Sequence, residues 1–229
     1  MFKLANIIGR LGLFAVLAFS TAQATASGRD DYHVTITNLT YSITFTPILV
    51  ASHRRPVSIF ELGAPASDDL SAIAEGGDVG PLTTTLNHDK NVVDVQTSAG
   101  LLGPGESVTV IVSGDRGASY ISVASMMLPT NDGFIGLNGV EVPRRGSQVF
   151  YSPGYDAGSE ANDELCVNIP GPTCGGAGPS PGSDNPGDEN YVHIHRGTHG
   201  IGDLDADRYD WRNPVARITV TRIRGSKGD

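Results

Sequence analysis

The sequence predicts an all-β fold: an antiparallel β-sandwich with one short helix and long loops. Glycine and proline are abundant, with 29 and 14 residues among the 229, and they divide the chain into short segments, which favours many strands joined by turns. Within those segments apolar and polar residues alternate at the period of a half-buried strand. The chain shows no internal repeat and no clear domain boundary, so we expect a single sandwich domain.

The first predicted strand changes face part of the way along. Residues 32–36 carry their apolar side chains at even positions, whereas residues 39–45 carry them at odd positions. One strand cannot keep both sets on one face, so we expect a bulge or bend near Asn38. Pro47 has no N–H for the ladder and is expected to end the strand or confine it to an edge.

One segment, residues 67–76, has the pattern of a short helix. Ser67 can cap its first turn, and Asp68 and Asp69 complement the positive end of the helix dipole. Gly76 supplies a stop. The apolar residues that fall on one face of this helix are Leu70, Ile73 and Ala74.

Four later segments are predicted strands. Residues 107–112 and 216–220 alternate strictly, and residues 149–151 form a shorter candidate. Residues 120–128 are a longer apolar run, which is typical of a central strand. Residues 169–187 consist mostly of glycine and proline and are expected to form a loop.

Residues 1–26 are predicted to be a signal peptide. Basic residues precede an apolar run at 11–18 that is too short to span a bilayer, and small residues allow cleavage after Ala24 or Ala26. No later segment is long and apolar enough to cross a membrane. We therefore expect an exported domain, residues 27–229, that is secreted or periplasmic and has no membrane span in its mature form.

The charge balance and the motifs argue against several classes of protein. The chain has 25 acidic and 16 basic residues and a formal net charge of −9. An acidic chain without a basic stripe is not expected to bind nucleic acid. There is no His-Glu-x-x-His motif and no glycine-rich phosphate loop that opens a helix, so the sequence predicts that the protein is not an enzyme.

Cys166 and Cys174 are the only cysteines, and both lie in a loop rich in glycine and proline. In an exported chain the simplest prediction is a disulfide between them. Two thiolates alone would make a poor zinc site.

Two stretches place acidic side chains beside glycines just beyond apolar runs. Asp132 precedes Gly133, and Asp156 and Glu160 flank a short glycine-containing turn. Carboxylates on loops at the end of a sandwich suit a hard cation such as Ca²⁺, which takes about six to eight oxygen ligands. We predict Asp132, Asp156 and Glu160 as its ligands, with Asp163 as the next candidate. The alternative is ordinary turn chemistry, because Asp also caps turns where no ion is bound.

The same stretches resemble the signature of the spondin domain, the N-terminal module of F-spondin and mindin and of many exported bacterial proteins. Residues 126–136 are similar to the family's apolar-Pro-Ser-x-Asp-x-Phe-x-Gly block, and residues 155–160 to its Tyr-Asp-Ala-Gly-Thr-acid block. Three further pieces follow the family's order: residues 41–47 resemble its opening strand, 67–78 its short helix and Ala-Glu-x-Gly turn, and 214–223 its closing strand.

This resemblance implies a secreted, calcium-bearing β-sandwich that acts as an adhesion or interaction module, with an extracellular or envelope protein or a glycan as its partner. There are departures from the animal members. Gly133 stands where they usually carry an aromatic residue, and Glu160 where they carry Asp. The loop between residues 166 and 210 is longer and richer in His and Asp. The receptors of animal members are therefore not carried over to this chain.

A second group of candidate ligands is His193, His195 and His199. If residues 192–196 form a strand, His193 and His195 share a face and could bind zinc or copper. The alternative is a polar strand face whose histidines form hydrogen bonds with nearby carboxylates. Three functions therefore stay open: a calcium-bearing interaction module, an exported zinc- or copper-binding protein or metalloenzyme, and a structural envelope protein in which calcium serves stability alone.

Overall fold

The computed structural model describes residues 30–55, 57–114, 117–176 and 189–225. The predicted signal peptide lies outside these ranges. Within them the chain forms antiparallel sheets packed as a sandwich, which confirms the predicted fold class. The strands are β1 Asp30–Asn38, β2 Thr44–Phe45, β3 Leu49–His53, β4 Val92–Thr97, β5 Ser107–Gly114, β6 Tyr120–Leu128, β7 Gly133–Glu141, β8 Ser147–Ser152, β9 Gly154–Asp156, β10 His193–Ile194 and β11 Ala216–Ile223.

The two sheets differ in size. The smaller has the order β5-β1-β11-β8, and the larger has the order β10-β9-β7-β6-β3-β4, with β2 paired to β6. Tyr32, Val34 and Ile36 of β1 are buried in the core between the sheets, as their alternation predicts. The predicted central strand is also confirmed, because β6 lies between β3 and β7 and is buried from Ile121 onward.

The predicted continuation of the first strand through residues 39–45 is wrong. β1 ends at Asn38, and Leu39 and Tyr41 are exposed. Beyond Asn38 the side chain of this residue makes the hydrogen bonds that a neighbouring strand would otherwise make. Its Nδ2 donates to the carbonyl of Ile43 at 2.7 Å, and its Oδ1 accepts from the N–H of Thr40 at 3.0 Å. The break predicted near Asn38 as a bulge or bend is therefore a bend: the buried amide makes a turn, and the chain re-enters a sheet only at β2.

The predicted helix is α1, Asp68–Gly76, whose N-cap Ser67 accepts from the N–H of Leu70 at 3.2 Å. Its left-handed C-cap residue, with φ 68°, is Gly77, one residue beyond the predicted stop. A side chain there would be strained, and its Cβ would lie 2.7 Å from a methyl group of Thr46.

The expectation of one helix has to be corrected, since α2 follows at Gly80–His88 and a single turn, α3, at Ala206–Tyr209. In α2 the buried residues are Leu82 and Leu86. These two leucines are the whole apolar face of the helix, and three consecutive threonines lower its helix propensity. The sequence therefore does not predict α2. None of the described helices has the length and apolarity needed to cross a membrane.

The loop beyond β9 is closed by the predicted disulfide between Cys166 and Cys174. Each cysteine lies in a short 3₁₀ turn, at Cys166–Asn168 and at Pro172–Cys174. Cys174 packs against the main core, so the disulfide anchors this loop to the body of the sandwich.

Candidate metal centre

Three neighbouring strands bring the candidate residues into one row. Asp156 of β9 pairs with Gly133 at the start of β7 on one side and with His193 of β10 on the other. Asp132 immediately precedes Gly133. The carboxylate stretches and the histidine stretch, which the sequence presents as separate candidates, therefore meet at one end of the larger sheet.

A small apolar cluster lies beside this row and fixes it. Phe134, Ala157 and Val192 are fully buried, and each stands one or two residues from Asp132, Asp156 or His193. The cluster also contains Leu70 and Ala74 from the buried face of α1. The helix thus supports the strand ends that carry the polar side chains.

Asp132 is fully buried and organises the turn that follows β9. Its Oδ2 accepts hydrogen bonds from the backbone N–H groups of Ser159 at 2.8 Å and Glu160 at 3.0 Å. Its Oδ1 accepts no hydrogen bond from any described residue. Burial, and then the nearby charge of Asp156, raises the pKa of Asp132 to about 8. Both effects show how costly a negative charge is here without a compensating cation.

Asp156 and Glu160 are also fully buried. Oδ1 of Asp156 accepts from the N–H of Gly158 at 2.8 Å, and Oδ2 accepts from Nδ2 of Asn162 at 2.7 Å. Burial raises the pKa of Asp156, although these hydrogen bonds oppose the shift. The structure therefore places three of the predicted carboxylates in a dry region at one end of the sandwich.

The carboxylate of Asp163, the fourth predicted ligand, accepts hydrogen bonds from nearby loop residues. Its Oδ1 accepts from Nδ2 of Asn131 and from the N–H of Leu165, both at 2.9 Å, and its Oδ2 accepts from Nδ2 of Asn168 at 2.5 Å. These contacts give Asp163 the role of a latch that ties the loop after β9 to the residue before Asp132.

The structure separates the three histidines, since β10 ends at Ile194 instead of running through residues 192–196. His193 Nε2 lies 3.9 Å from Asp156 Oδ1 and 4.0 Å from Glu189 Oε1. His199 is exposed, and its backbone N–H donates to the buried carboxylate of Glu164 at 2.5 Å.

His195 is buried against Trp211, with 4.9 Å between ring centroids. Its Nδ1 accepts from the N–H of Gly197 at 3.0 Å, and its Nε2 lies 3.8 Å from Asp156 Oδ2. Burial lowers the pKa of His195 to about 3, so the ring is neutral at physiological pH.

The carboxylate oxygens nearest to His193 and His195 belong to Asp156 and Glu189 and lie 3.8–4.0 Å away, too far for the hydrogen bonds of the alternative interpretation. The acidic residues that follow the histidines in the sequence have other partners. Asp203 accepts from the N–H of Cys166, Asp205 caps α3, and Asp210 pairs with Arg212.

Sequence reasoning missed Glu189. This residue stands four positions before His193, and that spacing was the one available signal. One ligand atom from each of Asp156, Glu189 and His193 lies within 4.8 Å of those of the other two. No other trio of His, Cys, Asp or Glu side chains within the described ranges meets that limit.

Comparisons with known proteins agree with the resemblance seen in the sequence. A family model described as Spondin_N matches residues 30–158, more than half of the chain. A comparison with curated proteins finds no match. The matched family consists of extracellular, non-catalytic modules. The matched residues run from the start of β1 to the turn after β9 and include Asp132 and Asp156. This chain belongs to the spondin N-terminal domain family.

Proposed function

We propose that this chain is an exported calcium-binding β-sandwich that acts as an adhesion or interaction module at the cell envelope or outside the cell. Its family supports an extracellular interaction module. The observation that carries the calcium proposal is the complete burial of three carboxylates, those of Asp132, Asp156 and Glu160, at one end of the sandwich.

The donor chemistry of this end fits calcium. Ionising buried carboxylates is costly, and carboxylate oxygens are the preferred ligands of a hard dication. The buried Oδ1 of Asp132, which accepts no hydrogen bond from the described residues, is available to a cation. Asp132, Asp156 and Glu160 would hold the ion, and binding would have to draw their carboxylates together, because their ligand atoms do not all lie within 4.8 Å of one another. When bound, calcium would neutralise these carboxylates and tie the turn after β9 to the start of β7.

The surface at the same end supports a role in recognition. Glu164 links two of its loops, because its carboxylate accepts from the N–H groups of His199 and Ile201. Five exposed apolar side chains lie on these loops and on the segment around β10, and such groups commonly form contact surfaces. They are Leu165, Val167, Tyr191, Ile194 and Ile201. We propose that an extracellular or envelope protein or a glycan contacts this surface.

Thermal unfolding in EDTA and in excess calcium tests the metal part of this proposal. We expect calcium to raise the midpoint of the wild-type protein, because a ligand that binds only the folded state stabilises it. The Asp132→Asn/Asp156→Asn double variant should lose this rise. An equal midpoint of the wild-type protein in both buffers would contradict calcium binding.

Binding to envelope fractions and to immobilised glycans tests the recognition part. An Ile194→Ser/Ile201→Ser variant should lose a partner that the wild-type protein retains in calcium. The matched control is Leu62→Ser, which changes a comparably exposed apolar side chain, 55 % exposed against 48 % and 62 %, outside the loops named above. If both variants retain the partner, the contact surface lies elsewhere.

A further inference from the structure

A second group of metal-ligating side chains is formed by Asp156, Glu189 and His193. It goes beyond the proposed calcium site and shares only Asp156 with it. The three ligand atoms lie within 4.8 Å of one another. Two atoms bound to one metal ion at about 2.0–2.6 Å can be at most about 5 Å apart, so one ion can reach all three.

The hydrogen bond of His193 determines what its ring presents to this space. Nδ1 lies 3.2 Å from the carbonyl oxygen of Ile194, which can only accept, so Nδ1 carries the proton. In the neutral ring Nε2 therefore carries a lone pair, and it faces carboxylate oxygens of Asp156 and Glu189 at 3.9 and 4.0 Å. Three electron-pair donors thus face one space. A histidine that binds a metal commonly donates its other ring N–H to a backbone carbonyl in this way.

A second, independent observation comes from His195, whose side chain is only 4 % exposed. Its Nε2 makes no hydrogen bond with any described residue and lies 3.8 Å from Asp156 Oδ2. Because Nδ1 accepts from Gly197, the proton of the neutral ring is on Nε2 and faces that oxygen. His195 is therefore a positioning residue. Oδ2 of Asp156 accepts from Asn162 and has His195 beside it, whereas Oδ1, which accepts from the N–H of Gly158, is the oxygen on the side of His193.

The donor set determines the class of metal. Calcium takes oxygen ligands, whereas an imidazole nitrogen with carboxylates suits zinc and its first-row neighbours. In a tetrahedral zinc site the ligand atoms are about 3.4 Å apart, so the separations of 3.9 and 4.0 Å would close by only a fraction of an ångström. The side chains of His193 and Glu189 are 22 % and 28 % exposed and face solvent, which leaves room for a fourth ligand.

From this geometry we infer that His193 Nε2, Asp156 Oδ1 and Glu189 Oε1 bind a first-row transition-metal dication such as Zn²⁺, with the fourth position open to solvent. Two of the three ligands lie beyond residue 158, where the family match ends. The site is thus assembled by pairing a strand inside the matched region, β9, with a strand outside it, β10.

The test uses the purified protein, stripped with EDTA and dialysed. Zn²⁺ affinity is measured by calorimetry, and Co²⁺ is used as a spectroscopic probe, since its visible absorption reports nitrogen ligation and low coordination number. The wild-type protein should bind one Zn²⁺ at this site. We expect His193→Ala and Glu189→Gln each to weaken binding at least about tenfold, the scale on which perturbed metal sites lose affinity. Both changes are at partly exposed positions, and unfolding midpoints in EDTA verify that the variants fold.

His199→Ala is the matched control, because it removes an exposed imidazole six residues from His193 that is not part of the trio. It should leave zinc affinity unchanged. Absence of zinc binding by the wild-type protein, or equal affinity in the His193→Ala variant, would overturn the inference. An equal loss of zinc and calcium affinity in His193→Ala would also overturn it, since that result indicates one site for any dication. Asp132→Asn should retain zinc and lose only the calcium response, so the two proposals can fail separately.

Discussion

The ring of His195 lies directly over Gly133. A Cβ at position 133 would approach His195 Cδ2 to 3.1 Å and Thr130 Oγ1 to 2.6 Å. Thr130 cannot move aside freely, because its hydroxyl accepts from the N–H of Gly133 at 2.9 Å and donates to the carbonyl of Met127 at 2.5 Å. The missing side chain at Gly133 is therefore what allows His195 to reach Asp156. The aromatic residue that animal members of the family usually carry here would occupy the place of this ring.

Gly133→Ala should destabilise the protein by about 1–3 kcal/mol, the usual cost of forcing extra atoms into a packed region. Urea unfolding in EDTA measures this cost without any metal contribution. Gly176→Ala is the matched control, because its Cβ would meet neighbours only at 3.5 Å or more. If Gly133→Ala is as stable as the wild-type protein, the contact with His195 and Thr130 is not restrictive.

Asp132→Asn should preserve the free energy of unfolding in EDTA but abolish the gain that calcium gives the wild-type protein. The amide keeps an oxygen for the N–H groups of Ser159 and Glu160 and replaces a buried carboxyl group whose ionisation is unfavourable beside Asp156, so stability in EDTA should not fall. With calcium at a hundred times its Kd, the wild-type protein should gain about 2.7 kcal/mol and the variant should not. Chemical denaturation in both buffers measures the difference. A calcium response that persists in the variant would show that Asp132 is not a ligand.

Asp163→Ala should lower stability without removing the calcium response. The variant loses three accepted hydrogen bonds and leaves the side chains of Asn131 and Asn168 without this partner, at a cost of about 1–3 kcal/mol. Calcium should still raise its midpoint by the wild-type increment, because Asp163 is not one of the proposed ligands. Loss of that increment would place Asp163 among the ligands, as the sequence alone suggests.

The parts of the fold that the sequence predicted are those with strong local signals. The alternation in β1 and the apolar run of β6 are complete within nine residues each, and α1 has its own cap and stripe. The bend near Asn38 could be predicted, but the turn that makes it could not, because it depends on a side chain that also donates to the carbonyl of Leu102, 64 residues away. Alternation alone contains no information about such a contact.

The same distinction applies to the candidate site. Asp132, Asp156 and Glu160 could be found because each lies beside a glycine turn within a recognisable motif. The proximity of Asp156 to His193 could not be found, because it depends on the pairing of β9 with β10 across 37 residues of sequence. Glu189 becomes a candidate only after that pairing is known. Sequence patterns thus identified the chemical groups, and long-range strand pairing determined which groups share a site.

His53 should make stability depend on pH. It is buried, its Nδ1 donates to the carbonyl of Arg54 at 3.1 Å, and its Nε2 accepts from the hydroxyl of Ser122 at 2.9 Å. Burial lowers its pKa from the ordinary value of 6.5, although Arg54 and the charge of Asp89 oppose the shift. Below pH 6.5 the unfolded chain therefore binds a proton that the folded chain resists. This contribution to stability is complete above pH 6.5 and is lost as the pH falls towards the folded-state pKa.

Urea unfolding of the wild-type and His53→Gln proteins between about pH 7.5 and 5 isolates this contribution, because all other titrating groups are common to both. Glutamine keeps a donor and an acceptor but cannot take up the proton. We expect the free energy of unfolding of the wild-type protein to fall more steeply on acidification than that of the variant. Parallel curves for the wild-type and His53→Gln proteins would mean that His53 titrates alike in the folded and unfolded chains.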